Sequence, residues 1–329
     1  MPREKVIKYT DLDGKNAQFV LEKKIGAGVF GEVFIAYLGD CDAELKKKLP
    51  QVFACKRVKL QYPEEYEEMK EREVKLSNTV KSSHNIYLYC AVKVDQVVYF
   101  FFHFYNGGML TSVVEGKENI PEKLAAQILH QVLIGLMELH DKKYVHRDLK
   151  PDNVLMHFPC MMPNKSLQSR FHEVWNHEKF NVYSVVIADL GMGREEGLTM
   201  TEGAGTPLYR APECESGYYN SKADILSVGI ICYELLFGEP IFTQAKARNL
   251  EGLRKLWTNT TSYTNERKIS YEAMQFLQYS LQVDFRNRLT ADELFETDFI
   301  QKAYSDEEYR YPPEDKEWKL YINKHIMLE

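Results

Sequence analysis

The chain has 329 residues, enough for one large or two modest domains and for a core without covalent staples. Hydrophobic residues make up 44% and charged ones 27%, which excludes a largely disordered chain. The formal charge of −6 argues against general nucleic-acid or anionic-membrane binding.

Six cysteines (Cys41, Cys55, Cys90, Cys160, Cys214 and Cys232) are scattered with no CxxC pair, so free thiols in a reducing compartment are expected. The opening MPREKVIKYTDLDG lacks the apolar stretch of a secretory signal, so none is expected. The longest apolar stretches, VVYFFFHF and ILSVGIICYELLFG, are too short to span a bilayer. The expectation is an intracellular, cytoplasmic protein with no membrane span.

In chain order, QFVLEKKI, EVFIAYL and VFACKRVKL are rich in β-formers, and KVDQVVYFFFHF predicts a strand pair turning at Asp95-Gln96. Pro63 opens the charged run PEEYEEMKEREVKLSNTV, a helix with acids in its first turn. Asn106-Gly107-Gly108 breaks the pattern. Beyond it, Leu124, Ile128, Val132, Leu136 and Leu139 recur at helical spacing. Further helices are expected over Ser221–Phe237, Ser270–Leu281 and Thr290–Phe295. A strand-rich part before a helix-rich part predicts two lobes with a ligand between them. Gly39–Gln51, with its basic run Lys46-Lys47-Lys48, and His157–Tyr183 are expected to be insertions.

Three segments carry chemistry. In Gly26-Ala27-Gly28-Val29-Phe30-Gly31 the glycines let backbone N–H groups approach phosphates. The strand-like EVFIAYL follows, so a hairpin over phosphates fits better than a dinucleotide-binding helix. Lys56 ends the strand Val52-Phe53-Ala54-Cys55-Lys56, and Glu73, or failing it Glu71, is a carboxylate that could position it. In Tyr144-Val145-His146-Arg147-Asp148-Leu149-Lys150-Pro151-Asp152-Asn153, Asp148 can accept a hydroxyl proton. Lys150 can neutralise a transferring phosphoryl group, and the Asn153 amide oxygen can bind Mg²⁺.

With these segments the chain resembles a eukaryotic protein kinase catalytic domain of the serine/threonine kind, from about Gln18 to Ile300. Asp189-Leu190-Gly191 stands at the family's metal-binding triplet. Gly205-Thr206-Pro207 and Ala211-Pro212-Glu213 match the end of its activation segment. Asp224 matches the aspartate of its buried central helix, and Arg288 the arginine that pairs with Glu213. The resemblance implies an α+β bilobal fold: a small antiparallel sheet with one main helix, then a larger, mainly helical lobe. The expected division is an extension at 1–17, an N-lobe at 18–105, a C-lobe at 106–300 with the insert 157–183, and a tail at 301–329.

It also implies ATP and Mg²⁺ as cofactors and proteins with Ser/Thr acceptors as substrates. Asp148, Lys150, Lys56 and Glu73 would be catalytic, and Asn153 and Asp189 would hold the metal. Gly26, Ala27, Gly28, Val29, Phe30, Gly31, Val33, Ala54 and Lys56 would surround the nucleotide, with His103 C=O and Tyr105 N–H on adenine and Phe102 as gatekeeper. Arg147 and Arg194 would gather around an anion of the activation segment, either phosphorylated Thr201 or the built-in charge of Glu202; Thr199 and Thr206 join this regulatory set. The pattern departs from the family at Leu190 for phenylalanine and at Leu226 for tryptophan. With Glu73 as the helix partner, Ser77 falls where the family has an apolar side chain. A scaffold without catalysis would have lost Lys56, Asp148, Asn153 or Asp189, and a small-molecule kinase usually lacks the peptide-docking GTP…APE segment.

Overall fold

The computed structural model describes residues 5–28, 31–62, 66–67, 69, 74–76, 79–80, 82–114, 120–158, 184–190, 193–196, 205–217, 220–241 and 269–304. A six-stranded antiparallel sheet comes first, in the order β1-β2-β3-β4-β6-β5. Its strands are β1 (Lys5–Thr10), β2 (Asn16–Gly28), β3 (Gly31–Cys41), β4 (Val52–Lys59), β5 (Leu88–Val94) and β6 (Val97–His103). The expected turn at Asp95 is present, with Asp95 at φ 54. Residues 5–17 of the expected extension belong to the sheet: β1 pairs in register with β2, Lys5 opposite Leu21 through Thr10 opposite Asn16.

β6 shows why this sheet is thick. Val98, Phe100 and Phe102 join the large core shared with the helices, whereas Tyr99 and Phe101 face a second core with Ile7, Phe19, Phe53 and Leu45. A strand buried on both faces reads as an unbroken apolar run, as VVYFFFHF does. Phe19 stacks on Phe101 with ring centroids 3.9 Å apart. The expected insertion at 39–51 is part of this construction. Its first residues continue β3, and the short helix α1 (Ala43–Lys46) buries Leu45 against the second core, with Leu49 packed beside it. Lys15 pairs with Glu44, and Asn16 N–H donates to Asp42 at 2.6 Å, fastening α1 to the β1–β2 turn.

Of the helix expected after Pro63, residues 66, 67, 69, 74–76 and 79 are helical. Leu76 and Val80 are buried; Ser77 and Glu73 lie outside the described residues. After β6 and the connecting residues 104–107 come β7 (Gly108–Met109) and α2 (Thr111–Val114). The long α3 (Glu122–Asp141) buries Ile128, Val132, Leu136 and Leu139 as its spacing predicts. β8 (Tyr144–Val145) pairs with β11 (Arg194–Glu195), and β9 (Val154–His157) lies between β10 (Ser184–Ile187) and β7. His157, expected to begin an insertion, instead closes β9 opposite Ser184; residues 159–183 lie outside the described set.

The central α4 (Lys222–Phe237) is buried almost all round. α5 (Tyr271–Ser280), capped by Ser270, packs against α4, whereas α6 (Ala291–Phe295), with a Thr290–Glu293 capping box, and α7 (Asp298–Gln301) pack against α3 and α5. A further turn, Lys302–Tyr304, buries Ala303, whose carbonyl accepts from Gln127. The expected tail at 301–329 thus begins inside packed structure.

Candidate active site

The floor of the interlobe cleft is built on one buried carboxylate. Asp224 Oδ2 accepts from His146 N–H at 2.8 Å and faces His140 Nε2 at 2.9 Å, while Oδ1 accepts from Arg147 N–H at 2.9 Å. Burial alone would raise this carboxyl, but His140, His146 and the Arg147 N–H together hold it below the usual range. These bonds hold Arg147 at φ 73, a left-handed conformation that costs a non-glycine residue on the order of 1–3 kcal/mol. His146 Nε2 lies 3.0 Å from Ala188 C=O and its Nδ1 3.3 Å from Asp148 N–H, so the ring is held between the segment before Asp189 and the backbone of Asp148. His140 was not singled out in the sequence, because nothing there places it beside a residue 84 positions later.

Asp148 stands directly on this support. Its Oδ1 accepts from Thr206 N–H and Oγ1–H, each at 2.7 Å. Its Oδ2 lies 2.9 Å from Lys150 Nζ and 3.2 Å from Asn153 Nδ2. Lys150 also donates to Thr206 Oγ1 at 2.6 Å, closing a triangle of aspartate, lysine and threonine. Asn153 Nδ2 donates to Asp148 C=O at 2.7 Å. Thr206, expected among the regulatory residues, therefore touches the candidate base itself.

Asp189 follows β10 at φ 58 and receives Lys56 from the opposite lobe, Nζ to Oδ1 at 2.7 Å. Burial would raise the Asp189 carboxyl, but the charge and hydrogen bond of Lys56, with His146 and Lys150, hold it below its usual value. The pleat explains the reach of Lys56. Val33 lies opposite Lys56, Ile35 opposite Ala54, and Ala54 opposite Phe102, so these side chains share one face. Gly26, Ala27 and Gly28 end β2, and Gly31 opens β3 opposite Gly28 at φ 127, a backbone only glycine adopts freely. The glycine motif thus turns a hairpin, as the following strand predicted. Val29 and Phe30 lie outside the described residues, as do Glu71, Thr199, Thr201 and Glu202.

The segment that follows Thr206 is also anchored. Arg288, fully buried, forks onto Glu213 at 2.7 and 3.3 Å and donates further to the carbonyls of Gln282 and Lys222. Glu234 accepts from Tyr209 Oη–H at 3.0 Å; burial pushes its carboxyl up to about 7, opposed by this hydrogen bond and helped by the Asp152 charge. Arg194 pairs with Val145 on β8, which brings it near Arg147. Burial, with the Arg147 charge second, lowers the Arg194 guanidinium.

The sequence matches the protein kinase domain family over residues 19–300. The chain belongs to that family. It is 27% identical over 292 residues to calcium/calmodulin-dependent protein kinase type 1 of Caenorhabditis briggsae, covering 87% of this chain and 74% of the relative. It is 28% identical over 302 residues to serine/threonine-protein kinase 33 of Mus musculus, covering 89% of this chain and 57% of that protein. With the serine/threonine-protein kinase CLA4 of Candida albicans it shares 32% over 237 residues, 70% of this chain but 22% of the longer protein. Its relatives place this kinase among the serine/threonine protein kinases. Among the described residues of the kinase, no helix is long and apolar enough to cross a membrane, and Cys41, Cys55, Cys90, Cys214 and Cys232 are free thiols.

Proposed function

We propose that the protein transfers the γ-phosphate of Mg-ATP to serine and threonine hydroxyls of protein substrates, under control of its activation segment. The observation that carries this reading is the Asp148–Lys150–Thr206 triangle set opposite the Lys56–Asp189 pair. Phosphoryl transfer asks a protein for positioning and charge neutralisation rather than covalent work, and these groups supply both.

The donor set fits Mg²⁺. Asp189 and Asn153 offer hard oxygens, and because the Asn153 nitrogen is committed to Asp148, its oxygen is turned away from that residue. Among the described residues no three or more His, Cys, Asp or Glu side chains group as a metal site. Mg²⁺ is commonly held by one or two protein oxygens plus substrate phosphates, so the ion would enter with the nucleotide. When bound, Mg-ATP supplies the phosphoryl group and a charge that offsets its oxygens. Lys56 would grip the α and β phosphates, and Glu73 would hold Lys56. Asp148 would orient the acceptor hydroxyl and take its proton, and Lys150 would face the γ-phosphate. His103 C=O and Tyr105 N–H would pair with adenine beneath the glycine hairpin.

For activation, the adjacent guanidinium groups of Arg147 and Arg194 favour an anion between them. Glu202 would supply one charge and phosphorylated Thr201 nearly two. The test is a peptide array with Mg-ATP, run with wild type, Asp189→Ala and an EDTA control, and read by mass spectrometry for the residue modified. The expected result is metal-dependent labelling of serine and threonine. Labelling that survives both EDTA and Asp189→Ala, or none from the wild type, contradicts the reading.

A further inference from the structure

Directly after the proposed adenine-pairing residues, Asn106 and Gly107 fasten the chain to β9 and to Phe158 just beyond it. The Asn106 side-chain amide accepts from Phe158 N–H at 2.8 Å and donates to Phe158 C=O at 2.8 Å. This reciprocal pair imitates one rung of a strand ladder, with a side chain standing in for backbone. The next residue, Gly107, donates its N–H to Met156 C=O at 2.8 Å. A Cβ at 107 would lie 2.5 Å from that oxygen and 2.7 Å from the Phe158 ring, so only glycine permits the approach.

Three rings close the same seam. His157 stands edge-on to His103 and Tyr105, at 5.7 and 5.9 Å between centroids, and His103 meets Tyr105 at 4.9 Å. His103 Nδ1 also lies 3.1 Å from Tyr89 Oη in β5. Burial holds the His103 and His157 rings neutral, so the seam carries no charge repulsion.

We infer that Asn106 is a positioning residue for the nucleotide, pinning the hinge to the strand that carries the metal site. β9 starts directly after Asn153 and ends one residue before Phe158, and its partner β10 runs back toward Asp189. A hinge clamped to Phe158 is therefore set at a fixed distance from Asn153 and Asp189 through one hydrogen-bonded hairpin. The adenine end and the phosphate end of the cleft would be spaced by this strut. The inference rests on the nucleotide reading above.

The test compares Mg-ATP binding by calorimetry and steady-state kinetics for wild type, Asn106→Ala and Asn106→Asp. The aspartate keeps the acceptor for Phe158 N–H but sets a second acceptor against Phe158 C=O, so it separates loss of the rung from loss of bulk. Losing the rung should raise the ATP KM and Kd about tenfold in Asn106→Ala and at least as much in Asn106→Asp. Turnover at saturating ATP should change by less than about twofold. A merely structural role would lower the melting temperature and the active fraction while leaving the ATP KM where it was, and that result overturns the inference. Unchanged binding in both variants overturns it too, with the nucleotide reading intact. A wild type that binds no Mg-ATP overturns the nucleotide reading, and this inference with it.

Discussion

The two lobes hold charged groups at fixed spacing by different physics. In the N-terminal sheet, Lys56 is aimed by strand pleat and register, and the strand behind it is fixed by aromatic packing on both faces. In the C-terminal lobe, Asp148 is aimed by a chain of polar contacts that begins at the buried Asp224 and passes through His146 and Arg147. Packing is spread over many weak contacts, so single losses are absorbed in stability. A buried polar chain has few members, each with a specific partner, and fails at once when one is removed.

The sharpest way to break this contrast is Asp224→Ala. It leaves two backbone N–H groups and the His140 ring without their acceptor and releases the strained Arg147 backbone. A loss of about 3–5 kcal/mol in urea unfolding is expected, together with loss of turnover in whatever remains folded. A variant with wild-type kinetics would show that the floor is held by packing after all.

Glu234 gives the next effect, through pH. Its folded carboxyl takes up a proton near 7, whereas in the unfolded chain it does so near 4.5. Between these values the folded state binds more protons, so stability falls as pH rises from about 4.5 to 7 and is level above. Glu234→Gln should remove this slope, worth on the order of 3 kcal/mol across the window. Parallel stability–pH curves for the two proteins would exclude a raised Glu234.

Leu45→Ala should cost least, about 2 kcal/mol, because it opens a cavity at the edge of the second core. Turnover of the folded protein should be unchanged, since among the described residues this core includes none of the cleft floor. A drop in turnover that exceeds the lost folded fraction would mean that the outer sheet face does more than pack.

What could be read from the sequence follows the same divide. Strands appeared as alternating or continuous apolar runs, and Asp148, Lys150 and Asn153 stood close together in one short segment. The Glu213–Arg288 fork and the role of Asp224 were legible only through the family resemblance, since 75 residues separate the fork's partners. Thr206 on Asp148, His140 on Asp224 and Asn106 on Phe158 join positions 58, 84 and 52 residues apart. No local pattern encodes such pairs. The second core is hidden differently: the basic run at 46–48 stands between Leu45 and Leu49, and only their four-residue spacing marks an apolar helix face.

The measurement that bears most directly on the account is phosphotransfer from Mg-ATP to serine, threonine and tyrosine acceptor peptides by wild type and Asp148→Asn. Mg-ATP affinity is determined on the same preparations. Wild type should modify serine and threonine but not tyrosine. Asp148→Asn should bind Mg-ATP within about twofold of wild type while its turnover falls about 10²–10⁴-fold, because the role proposed for the carboxylate is on the acceptor rather than the nucleotide. Equal turnover in the two proteins, or transfer to tyrosine as fast as to serine, would contradict it.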